Sequence, residues 1–389
     1  MESLAKELDL LLTEELARIK TDKNARPLVA YNSSFIPVEI IQACGADTFL
    51  VSHGGDAGAA STVDEYTIES INPLSRANVS YVFNGMDGVS RGKELIVSAF
   101  ADNHGGRMSE LLEYMGKNVC KIGIPTDWQK DIAFGYYLNA LHRMLARVEE
   151  FTGQKMDRDA AAENFARSNR INELFRRMNR LRKTDCIPIG IEDMILMHHR
   201  SLQLSGEKLE SALENAVERL EKAQPRFAPD APRLILMGRS VAVGDYELLR
   251  MIDESGCPVV AEILDETVRV LDSDVEPEGD LLESFAKSRY LERLPTNTFQ
   301  PSWKQRFEKL RSVIEEYRAD GVIWYQLVND EIYDIEYSCV EKWLKEMGIP
   351  SMQLETDFNY QSEKQNVRKT RLNSFIKAAG KHQKNRKPV

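Results

Sequence analysis

The sequence predicts an α/β protein built as two doubly wound parallel-sheet domains joined by a helical region. Three observations carry that prediction. First, an amphipathic helix that ends in glycine and is followed by a strand recurs four times, as EIIQACGADTFLV, LLEYMGKNVCKIGI, LLRMIDESGCPVVAEI and KWLKEMGIPSMQLE. Glycine suits the left-handed position just past a helix end, so each repeat reads as helix, turn, strand. Second, two repeats precede and two follow a stretch from Trp128 to Gln224 whose periodicity is wholly helical. Third, candidate strands such as Gly321–Tyr325 are short apolar runs, the pattern of strands buried on both faces of a parallel sheet.

Taken in order, Glu2–Lys20 reads as an amphipathic opening helix with Leu4, Leu8, Leu11 and Leu12 on one face. A strand at Pro27–Tyr31, a loop at Asn32–Ile36, a helix at Pro37–Cys44 and a strand at Thr48–Val51 follow. Proline in the first helical turn and glycine past the end are the expected asymmetry. Ser52–Gly92 is polar and glycine-rich, with a helix predicted near Asn72–Val82. Next come a strand at Glu94–Ala99, the loop Phe100–Gly105, a helix at Gly106–Tyr114 and a strand at Val119–Ile124. The helical region divides into Trp128–Phe151, Asp159–Leu181, Ile191–Arg200 and Gly206–Ala223. PRFAPDAPR, with three prolines, reads as a linker. The α/β rhythm resumes with strand Leu234–Met237, helix Asp245–Glu254 and strand Val259–Ile263, then helices Asp280–Leu291 and Ser302–Tyr317. The unit Ala319–Asp357 supplies a strand, a polar loop, a helix near Glu336–Met347, Gly348 and a strand past Pro350. A helix over Ser362–Ala379 closes the chain. The boundaries expected are 1–127 for an N-terminal α/β domain, 128–228 for the helical region and 229–389 for a C-terminal α/β domain with a basic tail. A ligand cleft between the two α/β domains is the expectation.

Composition narrows the function. A hydrophobic fraction of 42% and a charged fraction of 29% are those of a soluble globular protein. A net charge of −10 argues against general nucleic-acid binding and against an anionic membrane surface. Lys381, Lys384, Arg386 and Lys387 make only the tail basic, which reads as a solvated terminus. The 5 cysteines are scattered without C-x-x-C spacing, as free thiols in a reducing compartment would be. The acidic N-terminal helix lacks the features of a signal peptide, and no run approaches the ~20 apolar residues of a membrane span. A cytoplasmic location is expected.

No Walker loop, G-x-G-x-x-G, H-E-x-x-H or G-x-S-x-G occurs. SHGGD, Ser52 to Asp56, follows a strand and could offer backbone amides to a phosphate, although paired glycines more often serve a turn. His198 and His199 lie together on a helix without partner ligands and read as packing or surface residues. Ser34, Asp102 with Asn103, and Asp330 each lie between a strand and a helix. Helix capping explains each alone. Together they are polar groups at the carboxyl ends of strands in both domains, where open α/β sheets bind ligands.

The chain resembles the subunits of 2-hydroxyacyl-CoA dehydratases and benzoyl-CoA reductases from about Arg26 to Phe375. The resemblance rests on YNSSFIPVEIIQACGA, KIGIPTD leading into the helix ending EEFTG, LILMGRSVAVGDYELLRMIDESGCPVVAE, the Ala319–Asp357 unit and TRLNSF, in that order and spacing. It implies two Rossmann-like α/β domains with a helical region, a homologous partner subunit, an acyl-CoA substrate and an ATP-dependent activator that supplies a low-potential electron. Family subunits hold a [4Fe-4S] cluster through cysteines. The corresponding positions here are Asn72, Asp102 and Asp330, with Thr296 at a further one, so the resemblance places the cluster on a partner rather than on this chain. Oxygen donors at those positions would instead suit magnesium, manganese or calcium. Ser34 matches a serine at the substrate end of the dehydratase site, where it would hydrogen-bond the thioester carbonyl. Arg76 matches an arginine after the first cluster cysteine, and with Asn72, Asp102 and Asp330 it would line the substrate cleft. Arg368 stands where the family has a glutamine. The reading that follows is a subunit of such a complex, a lyase or an aromatic acyl-CoA reductase. Two others stay open: a non-catalytic structural or regulatory paralogue, and a divalent-metal hydrolytic site at Asp102 and Asp330.

Overall fold

The computed structural model describes residues 5–22, 25–56, 58–68, 70–90, 92–265, 268–269 and 273–385. Leu4, Arg386 and Lys387 lie outside them. Strands β1 (Leu28–Tyr31), β2 (Asp47–Leu50), β3 (Leu95–Phe100) and β4 (Asn118–Gly123) form a parallel sheet in the order β2-β1-β3-β4. Strands β5 (Leu234–Gly238), β6 (Val259–Leu264), β7 (Gly321–Leu327) and β8 (Ser351–Thr356) repeat that arrangement as β6-β5-β7-β8, also parallel. In each sheet the order reverses between the two inner strands. The carboxyl ends of β1 and β3, and of β5 and β7, are therefore the two switch points at which such sheets bind ligands.

Both faces of each sheet are covered, which is why their strands carry no polar alternation. Val29, Tyr31, Leu95 and Val97 enter one core, and Leu28, Ala30 and Ile96 enter the opposite one. In the second sheet Leu234, Leu236, Ile323 and Tyr325 face one side, and Ile235, Met237, Val322 and Trp324 the other. Successive side chains on a strand point to opposite faces, so a run of four apolar residues serves two cores at once.

The four helix–glycine–strand repeats lead into the outer strands. They are α2 (Val38–Ala43) into β2, α4 (Asn103–Tyr114) into β4, α9 (Glu247–Glu254) into β6 and α12 (Glu331–Glu346) into β8. Gly45, Gly116, Gly256 and Gly348 turn between them at φ of 76°, 82°, 78° and 73°, a conformation that a Cβ would strain. Between β2 and β3 lies α3 (Pro73–Phe83). α4 starts three residues earlier than its apolar pattern indicates, because Asp102 caps it by accepting from Gly105 N at 2.6 Å.

Packing does not follow chain order. α5 (Asp131–Thr152) and α6 (Arg158–Leu181) lead into α7 (Ile191–Gln203) and α8 (Glu207–Glu221). Core residues of α1 (Lys6–Thr21), α7 and α8, namely Leu8, Ile195 and Leu213, share the core under the second sheet. Conversely, α10 (Leu281–Ala286) and the π turn Lys287–Glu292 carry Leu281, Phe285 and Tyr290 into the core of the first sheet, with Phe299 beside them. That crossover is fastened by Trp128, whose backbone N donates to Gln300 O at 3.1 Å and whose indole donates to Tyr290 O at 2.5 Å. Then come α11 (Trp303–Glu316), β7, α12 and β8. The closing helix α13 (Ser362–Asn385) runs beyond Ala379, with Phe375 and Ala379 packed on Gly321 of β7 and Gln383 donating to Ala231 O at 3.3 Å.

Candidate functional site

The four inner strands deliver Ser34, Asp102, Arg239 and Asp330 to neighbouring points between the sheets. Ser34 sits in the turn after β1 and does not cap α2, whose capping residue is Pro37. Its Oγ accepts from Arg293 Nη1 at 2.7 Å. Arg293 follows the π turn, is only 5% exposed and lies 4.4 Å above the Phe35 ring. Irregular helical turns of this kind recur at functional sites because they re-aim the residues around them. Ser34, Phe100, Asp102, Arg239, Thr296 and Tyr333 contribute to the wall of one cavity of about 150 Å³. It spans both switch points.

Beside it lies a second, similarly small pocket where Asn72, Asp102 and Asp330 come together with Asn103, His104 and Arg239. Asn72 caps α3 by accepting from Leu74 N at 3.0 Å and Ser75 N at 3.3 Å, and its Nδ2 donates to Asp330 Oδ2 at 3.0 Å. Asp330 precedes α12 yet its carboxylate caps nothing; it faces Asn72 and Arg239 Nη1, the latter at 3.4 Å. Burial raises the Asp330 pKa, Arg239 opposes that rise, and Asp102 adds to it. Burial disfavours the Arg239 charge, but Asp330, Tyr333 and Asp102 hold its pKa above the ordinary arginine value.

Arg239 reaches the site because Gly238 precedes it. Gly238 has φ of 128°, and a Cβ there would stand 2.2 Å from Tyr325 O. Arg239 N then donates to that same carbonyl at 2.9 Å, and the guanidinium lies 5.2 Å from the Tyr333 ring centre. The Tyr333 hydroxyl donates to Asp265, which also takes Arg306 Nη1 at 2.9 Å. Arg306, fully buried, bonds Glu336 at 2.5 Å as well. The cavity floor is thus a fixed charge network rather than a set of solvated side chains.

Sequence reasoning named Ser34, Asn72, Asp102 and Asp330 and missed Arg239, Arg293, Asp265 and Tyr333. Arg239 was findable, since it stands after an inner strand as Ser34 does. Arg293 carries no local signal, because a π turn and a chain crossover bring it in. Arg76 is not among the residues lining either small cavity: its guanidinium pairs with Asp64 and donates to Thr67 Oγ1 at 3.1 Å. The SHGGD glycines serve close packing rather than a phosphate. Gly54 N donates to Val243 O at 3.0 Å, and a Cβ on Gly55 would lie 2.3 Å from Gly244 O. His198 and His199 are buried packing residues, one stacked 4.1 Å from Phe175 and the other 2.8 Å from the Tyr246 hydroxyl. Arg368 donates to Asn359 O at 3.0 Å, beside Tyr360.

An iron–sulfur cluster requires thiolates. The converging side chains here are one amide and two carboxylates, with a guanidinium against Asp330. Cys44, Cys120, Cys186, Cys257 and Cys339 are free thiols, and none of them lines either cavity. These residues do not fit the group. Nor do the described residues gather three metal-ligating side chains at any point, and no described helix is long and apolar enough to cross a membrane.

Residues 33–378 match the family described as 2-hydroxyglutaryl-CoA dehydratase, D-component. The chain is similar to the putative dehydratase subunit YjiM of Escherichia coli (strain K12), with 24% identity over 346 residues, 86% of this chain and 87% of that protein. It is also similar to a benzoyl-CoA reductase subunit of Thauera aromatica, with 23% identity over 327 residues and 83% of each chain.

Proposed function

The chain belongs to the 2-hydroxyglutaryl-CoA dehydratase D-component family, and on that premise we propose that it is a subunit of a 2-hydroxyacyl-CoA dehydratase or benzoyl-CoA reductase-like complex. In this reading it binds an acyl-CoA with the thioester at Ser34. A homologous partner subunit holds the cluster, and an ATP-dependent activator serves that partner. The supporting observation is the 2.7 Å bond from buried Arg293 to Ser34 Oγ at the wall of a cavity shared by both sheets. A hydroxyl oxygen that accepts from a cation becomes a better donor of its own proton. A thioester carbonyl in the cavity would take that hydrogen bond. Negative charge growing on its oxygen would be stabilised by Ser34 and, through it, by Arg293, in a site where both donors are already held in place. The similarity to a reductase subunit whose name specifies a CoA thioester supports the substrate class.

Titration of acyl-CoA thioesters into the chain co-purified with its homologous subunit tests this. We expect a heterodimer or larger complex, and Ser34→Ala to weaken binding or turnover about tenfold or more, as loss of a charge-supported hydrogen bond does. Because Arg293 loses its acceptor, the variant should also lose about 1–2 kcal/mol of stability. A chain that binds no acyl-CoA, or a Ser34→Ala complex indistinguishable from wild type in binding and turnover, refutes the reading.

A further inference from the structure

The Ser34 cavity is too small for a whole acyl-CoA, since ligand sites usually enclose about 300–1,000 Å³. A second, larger pocket of about 340 Å³ adjoins it, between the end of α6, the edge strand β6 and α11. Seven arginines and lysines line this pocket against three carboxylates, in a chain whose net charge is −10. Some of the cations are already neutralised: Arg182 meets Glu262 at 2.6 Å, and Lys183 meets Glu316. Two have no carboxylate in direct contact among the described residues. There the Arg269 guanidinium bonds neutral oxygens, Asn172 Oδ1 and Ser201 O at 3.1 Å and Ser168 O at 3.5 Å. Arg293 bonds Ser34. Among the described residues, no carboxylate lies within ion-pair distance of either. A guanidinium withdrawn from water without a counter-charge is costly unless a ligand supplies one. Burial accordingly holds the Arg269 pKa below its ordinary value.

The two spaces share a wall. Asp265 belongs to the wall of both, and Arg293 lines the basic pocket while donating to Ser34. We propose that the basic pocket binds the phosphorylated nucleotide end of the acyl-CoA, with the acyl arm passing Arg293 to reach Ser34. This rests on the acyl-CoA reading above. Arginine forks match phosphate oxygens in geometry and charge, and Lys309 adds a further cation on the α11 side.

The test uses two probes, adenosine 3′,5′-bisphosphate and an acyl-CoA, titrated by calorimetry into the complex. The variants are Lys183→Gln/Lys309→Gln, on partly exposed positions, and Arg269→Gln, with circular dichroism as the folding check. The double variant keeps the test decisive if Arg269→Gln fails to fold. We expect the bisphosphate to bind wild type, to lose about tenfold or more in affinity in the variants, and to be indifferent to Ser34→Ala. Acyl-CoA affinity unchanged in the pocket variants but weakened by Ser34→Ala overturns the nucleotide site and leaves the Ser34 reading standing. Bisphosphate binding lost in the pocket variants, with no acyl-CoA bound by wild type, supports the phosphate site and overturns the acyl-CoA reading instead. Absence of bisphosphate binding to wild type overturns the nucleotide site.

Discussion

Arg239→Met is the most informative single change, because Arg239 holds together the polar group at which the two sheets meet. Its side chain is 16% exposed and that of Asp330 is 9%, with 3.4 Å between charged atoms. Removing one partner of a buried pair costs about 3–5 kcal/mol, so a pair that keeps this much contact with water should cost about 2–4 kcal/mol. Loss of the cation from the Tyr333 face adds about 0.5–1 kcal/mol, while methionine retains the stem packing. The deficit should depend on pH. Burial already raises the Asp330 pKa in the folded chain, and without Arg239 it rises further. A carboxyl with a raised folded pKa contributes stability that is fully present below its unfolded pKa and is lost as pH rises through the folded one. The Arg239→Met deficit is therefore greatest at neutral pH and shrinks on acidification. Urea unfolding at pH 7 and pH 5 measures it, and Arg239→Met/Asp330→Asn should recover more than half. A deficit equal at both pH values, or a double variant whose cost is the sum of the single ones, refutes the coupling.

The chain purified alone without oxygen should carry no stoichiometric iron or acid-labile sulfide; about four of each per chain, as in a cubane cluster, would show that Asn72, Asp102 and Asp330 do not mark the cluster positions. Asp245 is buried and its carboxyl is pushed up to about 6, chiefly by burial, against hydrogen bonds donated by Tyr325 and Tyr360. Its contribution to stability is full below pH 3.8, the ordinary aspartate value, and is lost as pH rises through about 6. Asp245→Asn should abolish that pH dependence in the variant, so the difference between variant and wild-type unfolding free energies should slope between pH 4 and 7; a flat difference curve would contradict it.

How far the sequence reached can be followed strand by strand. The apolar runs at β1, β3, β5 and β7 and the glycine turns before β2, β4, β6 and β8 are local properties. Periodicity and left-handed turns act over a few residues, so contiguous sequence decides them. The same logic placed Ser34, Asp102 and Asp330 past inner strands. It could not separate a cap from a site residue. Asp102 and Asp330 both stand between a strand and a helix, yet Asp102 accepts from Gly105 N while Asp330 turns away to Asn72 and Arg239. Local geometry offers both carboxylates the same helix start. Only the neighbouring strand β5 and the approach of the first sheet supply Asp330 with better partners, the Arg239 cation and the Asn72 amide.

Arg293 makes the same point at longer range. It is 259 positions from Ser34, delivered by a π turn whose Tyr290 is anchored in the core of the first sheet. No pattern around Arg293 encodes that meeting. The sequence by itself determined the class of fold, its four repeats and the loops in which a site had to lie. The tertiary structure alone decided which side chains face each other there, because opposing charges gain most where two packed sheets exclude water, and that exclusion belongs to the assembly of distant segments rather than to any one of them.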